Sequence, residues 1–343
     1  MKQSHNKSPL RQCWQLVLLV LVVLSVGVDS ALAGSRGISL TAAPKVPQLP
    51  FAAGRYRALV VGNDDYRDPE GRWPDLRTAV AGARAMADVL KNRYGFDDVV
   101  LLENATRREI LIALNELSRE VLPNDNILVY YAGHGFLDPD TRRGYWVPVD
   151  AAGTDLTTFL RNSTIRDELN TIAARGRHTL LIADSCFSGS LLRSGTRGLP
   201  PAVDSDRYYQ KVAQKKSVQI MAAGGIEYVD DDYKASGHSP FTHFLLSELK
   251  YNDRPLLTVS ELSQSVEKAV ANNVQQVPES GVLQGAGDEL GEFIFVDITV
   301  SGVAPERVRV RVRQAQPVSP KVSPASVPTA PLASPAPLPM PTL

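Results

Sequence analysis

The strongest constraint in this sequence is a repeated element: a short, continuous apolar run that stops at a glycine or an acid. Arg57-Ala-Leu-Val-Val-Gly62 is the first such run, followed by Val99 to Leu102, then Asn126 to Tyr131, Thr179 to Ala183 and Ser217 to Ala223. Runs this short and apolar on both faces are the mark of strands buried in a parallel sheet. Between them lie segments with helical spacing. Val80, Ala83, Met86, Ala87 and Leu90 share one stripe, and Ile110, Leu114, Leu117 and Val121 share another. Further helices are predicted near 165–175, 241–250 and 258–272, with a last strand at 293–296. Strand and helix alternate, which predicts one α/β domain with a mainly parallel central sheet over about 51–298.

The ends of the chain are different material. Lys2, Lys7 and Arg11 precede an apolar run from Cys13 to Val28, and Ala31-Leu32-Ala33 supplies small residues two positions apart. This reads as an export signal over 1–33, with an uncleaved inner-membrane anchor at 13–28 as the alternative. An exported, periplasmic or secreted protein is therefore expected. Residues 34–50 read as a linker. Residues 299–343 form a basic segment, with Arg and Val alternating from Arg307 to Arg313, and then a Pro-rich tail expected to be extended and disordered. The basic segment is read as an edge strand or a solvated stretch.

Charge and cysteine content narrow the function. The chain carries 37 basic and 37 acidic residues, and loss of 1–33 leaves 34 against 36. That balance argues against nucleic acid as a partner. Of the two cysteines, Cys13 lies in the signal, so Cys186 has no intramolecular disulfide partner in the mature chain. A leftover thiol is a candidate nucleophile.

Ligands of open α/β sheets bind beyond the carboxyl ends of the strands. His134 stands there in Tyr131-Ala-Gly-His-Gly135, and Cys186 in Asp184-Ser-Cys-Phe-Ser-Gly189. An imidazole beside a thiol can take its proton and return it to a leaving amine. The backbone N–H groups of Gly135 and Cys186 are candidate oxyanion donors. The plainer alternatives are a small buried cysteine and a turn-capping histidine. The order of the two residues, with His 52 positions before Cys, differs from a papain-like arrangement. Asp184 stands where a hydrolase nucleophile elbow has glycine.

These motifs resemble the bacterial caspase-like proteins on the metacaspase side of the caspase superfamily. Three more segments carry the resemblance: Ala58-Leu-Val-Val-Gly-Asn-Asp-Asp-Tyr66, Gly144-Tyr-Trp-Val-Pro-Val-Asp-Ala151 and Ser239-Pro-Phe-Thr-His-Phe-Leu-Leu246. The resemblance implies a caspase-like sandwich and a cysteine-type endopeptidase acting on peptide or protein substrates. In it Cys186 is the nucleophile, His134 the acid/base, and Asp184 a selector of basic P1 side chains; a turn-capping role is the alternative for Asp184. Two positions depart from the family pattern: Gly82 replaces an Asp and Ala132 a Ser, which weakens the case for Arg/Lys specificity. A catalytically weak caspase-fold binding or scaffold protein is the alternative function. No cofactor or metal site is implied. Calcium at Asp230, Asp231 and Asp232 is a candidate activator, with a solvated acidic turn as the plainer reading. The stretch 190–216, rich in Arg and Lys, reads as a mobile loop and a site for self-processing.

Overall fold

A computed structural model describes residues 49–52, 54–186, 188–192, 205–224, 231–285, 287–301 and 309–314. The export segment 1–33, nearly all of the 34–50 linker, Asp230, the stretch 193–204 and the tail from 315 lie outside these residues. In chain order the elements are β1 (Tyr56–Gly62), α1 (Ala79–Asn92), β2 (Asp98–Glu103), α2 (Arg107–Glu120), β3 (Asn126–Ala132), β4 (Gly135–Leu137), β5 (Gly144–Trp146), β6 (Leu160–Arg161), α3 (Asn162–Arg175), β7 (His178–Asp184), α4 (Asp206–Gln214), β8 (Ser217–Ala222), α5 (Pro240–Tyr251), β9 (Leu256–Thr258), α6 (Val259–Ala271), β10 (Glu279–Val282), β11 (Ile294–Val296), α7 (Ile298–Ser301) and β12 (Arg309–Gln314).

The main sheet has the order β10-β8-β7-β3-β1-β2-β12, parallel throughout except for β10. Side chains alternate between its faces. Ala58, Val60, Leu128, Tyr130, Leu180 and Ile182 pack with α1, α4, α5 and α6. Leu59, Val61, Ile127, Val129, Leu181 and Ala183 pack with α2 and α3 on the other face. Both faces are covered, which is why the strands read as unbroken apolar runs. The result is the three-layer sandwich expected from the strand–helix alternation.

Several helix starts are fixed by local chemistry. Thr106 and Glu109 form a reciprocal capping box for α2, and Thr258 and Glu261 form another for α6. Ser239 caps α5 ahead of Pro240. Helix α1 differs. Its N-cap Thr78 makes no side-chain cap bond; the Asp64 carboxylate accepts the N–H groups of Ala79 and Val80 instead, at 2.9 and 3.1 Å. That leaves the Thr78 hydroxyl for another partner.

Two expectations change, and the basic segment takes the first of its two readings, the edge strand. The stretch 190–216 is not one irregular loop: Ser205 caps helix α4, which buries Tyr209 and Val212. Two buried residues in nine give too weak a stripe to see in sequence. The 293–296 strand forms, but as β11 it pairs with β9 in a separate two-stranded antiparallel ribbon. The sheet also continues past residue 298. β12 adds to β2 as an edge strand, in parallel register with Gln314 opposite Glu103.

That edge is held by charge. The Arg311 guanidinium grips Asp98 through both nitrogens, at 3.2 and 2.6 Å. Asp98 also accepts from Arg57 at 2.8 Å, and Arg57 reaches Glu120 on α2. Burial works against the Asp98 carboxylate, yet the hydrogen bonds and charges of Arg311 and Arg57 outweigh it and hold its pKa below the usual value. A depressed carboxyl pKa contributes stability above the unfolded pKa of about 4, and that contribution is lost as pH falls through the folded value. Asp98→Asn is therefore expected to cost about 2–3 kcal/mol at pH 7 and less as pH approaches 3, as urea unfolding at the two pH values will show.

Candidate active site

The site follows from strand register. β1, β3 and β7 end in one row, with Gly62 opposite Ala132 and Ala132 opposite Asp184. His134 lies two residues past this row and so does Cys186, so neighbouring strands deliver both to one crevice. Gly133 N–H donates to Asp184 O at 3.3 Å and ties the two turns together. A Cβ at Gly135 would lie 2.1 Å from Cys186 O, so only glycine permits this approach. His134 and Cys186 both line a cavity of about 110 Å³, together with Leu76, Thr78, Asp184 and Asp231.

The imidazole of His134 is oriented by its surroundings. Its Nε2 lies 2.8 Å from the carbonyl of Pro74. A carbonyl only accepts, so Nε2 carries the proton and Nδ1 is the basic nitrogen of the neutral ring. Tyr66 and Trp73 flank the ring, with centroids 4.6 and 5.6 Å away. Its backbone is held as firmly: His134 N–H donates to Tyr66 Oη at 2.7 Å, and Tyr131 Oη donates to His134 O at 3.0 Å. Tyr131 in turn stacks on Trp146 of β5, centroids 4.1 Å apart. Burial pushes the His134 pKa down, while the bond to Pro74 and the charge of Asp231 act in the opposite direction.

Cys186 is a half-buried thiol, not a disulfide. The backbone around it bears on the expected oxyanion donors. Val147 N–H donates to His134 O, which makes Gly135 and Trp146 a non-hydrogen-bonded pair. The Gly135 N–H therefore points away from β5, on the strand that abuts Cys186.

Asp184 does not cap a turn. It is buried and accepts from Ser239 Oγ and Thr242 Oγ1 through one oxygen, Oδ2, at 2.5 Å each. Tyr130 Oη lies 2.6 Å from Thr242 Oγ1, whose proton is committed to Asp184, so the tyrosine donates. The other oxygen, Oδ1, is buried and has no hydrogen-bond partner. Burial raises the Asp184 pKa to about 6 against the pull of the two hydroxyls, with Asp231 adding to the rise.

Asp231 is the residue that sequence reasoning misplaced. It is not a solvated turn residue: it lines the cavity, accepts Arg77 N–H at 3.0 Å, and bonds the Thr78 hydroxyl left over at the start of α1. No periodicity announces it, because its partners lie about 150 positions earlier. Its oxygens are already engaged by protein donors, and Asp232 Oδ1 accepts from Gly237 N–H. Among the described residues no group of three or more metal-ligating side chains is assembled. Asp230, the first acid of that run, lies outside the described residues. Of the two departures from the family pattern, Ala132 lines the cavity, whereas Gly82 faces Thr242 and Tyr130 behind it.

A model of the caspase domain matches residues 55–282. The chain belongs to the caspase family. The metacaspase-1 of Meyerozyma guilliermondii and metacaspase-1B of Aspergillus fumigatus are each 30% identical to it in an alignment 166 positions long that covers 42% of this chain and 38% of theirs. The chain thus matches under two fifths of the length of these curated relatives. A solved protein of Geobacter sulfurreducens is 19% identical, with a TM-score of 0.46 over 70% of this chain and all of its own.

The neutral imidazole of this caspase-family site gives a direct expectation. In a pH titration followed by NMR, the His134 ring is expected to show the Nε2–H tautomer and a midpoint below the ordinary 6.5. A midpoint above 6.5 would contradict the buried setting described.

Proposed function

We propose that this chain is a cysteine endopeptidase that cuts after Lys or Arg, using Cys186 as nucleophile and His134 as acid/base. The observation that carries the specificity is Asp184 Oδ1, a buried carboxylate oxygen without a partner beside a cavity shared with the thiol and the imidazole. Such an oxygen is costly unless a donor reaches it, and a cationic side chain supplies the strongest donor. Asp231, held by Arg77 and Thr78, adds a second acid to the wall.

The chemistry follows from the positions. His134 Nδ1 takes the thiol proton. The Cys186 sulfur attacks the carbonyl carbon after the basic residue, and the developing oxyanion is met by the N–H groups of Gly135 and Cys186. The imidazolium then protonates the leaving amine. Water, deprotonated by the same nitrogen, attacks the thioester and releases the new carboxylate and the thiol. The basic n-region, apolar run and small-residue site in 1–33 support export to the periplasm or beyond, with anchoring by 13–28 as the other outcome; mass spectrometry of the mature N-terminus decides. No helix among the described residues is long and apolar enough to cross a membrane.

Assay of purified protein on a peptide library, with Cys186→Ala as control, tests the activity. No turnover and no labelling of Cys186 by a thiol-directed probe, with or without calcium, would leave a caspase-fold scaffold. Asp184→Asn is expected to lower kcat/KM on Lys and Arg peptides about 10- to 100-fold, the worth of a charged hydrogen bond, and Asp231→Asn by less. Wild-type kcat/KM on these peptides should fall as pH drops through about 6, where Asp184 protonates. Stability runs the other way. A carboxyl raised from 3.8 to about 6 on folding destabilises the native state as pH rises through that window. At pH 8, Asp184→Asn should therefore unfold at higher urea, by up to about 3 kcal/mol.

A further inference from the structure

The loop between β1 and α1 is a strap that passes beside His134, and one carboxylate gathers it. Asp68 accepts four backbone N–H groups. Its Oδ1 takes those of Glu70 at 3.1 Å and Gly153 at 3.0 Å, and its Oδ2 those of Arg72 at 2.7 Å and Trp73 at 3.2 Å. A carboxylate offers about four lone-pair sites, so this one is filled. Three of the donors follow Asp68 closely in the chain and shape the strap. The fourth lies 85 positions away, so Asp68 also bolts the strap to the loop that joins β5 to β6.

Other bonds fasten the strap at the same place. Arg67 N–H donates to Val149 O at 2.8 Å, and Trp73 Nε1 donates to Gly153 O at 2.9 Å. Gly153 has a φ of +46°, and a Cβ there would lie 2.0 Å from Glu70 Oε2. The Trp73 ring then packs on Phe136, Phe159 and His134, with centroids 5.9, 5.5 and 5.6 Å away. The next residue is Pro74, whose carbonyl accepts the His134 Nε2 proton at 2.8 Å. Proline holds its own φ near about −65°, so the direction of that carbonyl follows from how Trp73 is held. A displacement of about 1 Å would take it out of hydrogen-bond range. Asp68 itself is not among the residues lining the cavity of Cys186 and Asp184.

We infer that Asp68 is a positioning residue for His134: by gathering the N–H groups of the strap and of Gly153, it sets the Pro74 carbonyl on Nε2 and keeps Nδ1 free to take the Cys186 proton. The inference rests on reading His134 as the base and adds the group that decides which of its nitrogens is free. Without the carboxylate, four N–H groups lose their shared acceptor and the strap relaxes. The ring is then free to carry its proton on Nδ1, and in that form Nδ1 cannot accept one from the thiol.

The test uses the full chain with nitrogen-15-labelled histidine at a pH of about 8, where a neutral ring is observed. His134→Gln assigns the signal, and kcat and KM on a Lys peptide are measured on the same samples. Wild type should show the Nε2–H form alone. Asp68→Ala should show a population of the Nδ1–H form and a kcat lower by about 10-fold, the worth of one hydrogen bond. Its KM should stay within about twofold, because the Asp184 side of the site is untouched. Asp68→Asn retains one acceptor oxygen and should fall between the two. Asp155→Ala removes a different loop carboxylate, one that accepts from Thr157, and should match wild type in both readouts. An Asp68→Ala chain that is folded, exchanges its Arg72 and Trp73 amides faster, and still holds only the Nε2–H form overturns the inference, whether or not kcat falls. Should urea unfolding show that the alanine chain does not fold, the asparagine chain decides by the same tautomer comparison. Wild type that cuts no peptide removes the peptidase reading alone, since the tautomer comparison needs no turnover.

Discussion

The whole site depends on parallel strands that stop in register. Because Gly62, Ala132 and Asp184 sit on one row, the backbone need only turn once beyond it to bring His134 and Cys186 together. No long-range side-chain bond is required to bring the two turns together. Hydrogen bonds between strands do the positioning, and the layers on both faces keep those strands from sliding. The tight contact at Gly135 then sets the height of the thiol turn against β4. Loops supply the chemistry, but the sheet supplies the tolerance.

Burial acts on the two titrating groups in complementary ways. It disfavours charge on both, so the His134 pKa falls and the Asp184 pKa rises. Both groups are thus driven towards neutrality. For His134 this is what a base requires, since only the neutral ring can accept a proton. For Asp184 it stores an unmet demand, because a half-bonded carboxylate in a dry place gains most from an arriving cation. On the proposed reading, a Lys or Arg side chain lowers the Asp184 pKa as it binds. On that same reading, the stability given up here is recovered when a cationic side chain binds.

The sequence made some of this legible. Strands buried on both faces are short apolar words, and β1, β3, β7 and β8 stand out for that reason. His134 and Cys186 are found by counting two residues past the strand ends, a rule of parallel sheets that needs no tertiary information. Other parts leave no such trace. The bond that fixes the His134 tautomer comes from the Pro74 backbone carbonyl, which has no side-chain signature. Asp231 is assembled by a long-range contact with Arg77 and Thr78, and the signal lay in α1, where Thr78 looks like a cap but Asp64 takes that role. The Arg–Val alternation from Arg307 shows a strand but not its partner, since a period of two fits any open edge. Ser205 and the nine residues it caps escaped because two buried side chains do not make a stripe.

The same alternation explains why an ion cluster is worth keeping at the edge. A repeat of Arg every second residue can slip by two without moving any side chain to the wrong face, so apolar pattern alone does not choose the register of β12. A slip of two residues would shift Gln314 by about 6.6 Å along the strand direction. Asp98 is in contact with Arg57 and Arg311, and Glu120 lies 3.6 Å from Arg311 as well. Net of desolvation such a cluster contributes little compared with an apolar replacement, although removing Asp98 alone is costly because it leaves Arg57 buried and short of a partner. The directional geometry of its pairs is what distinguishes one register from the next. The cluster's main effect is on which register the edge strand adopts, because the apolar pattern leaves that choice open and the ion pairs close it.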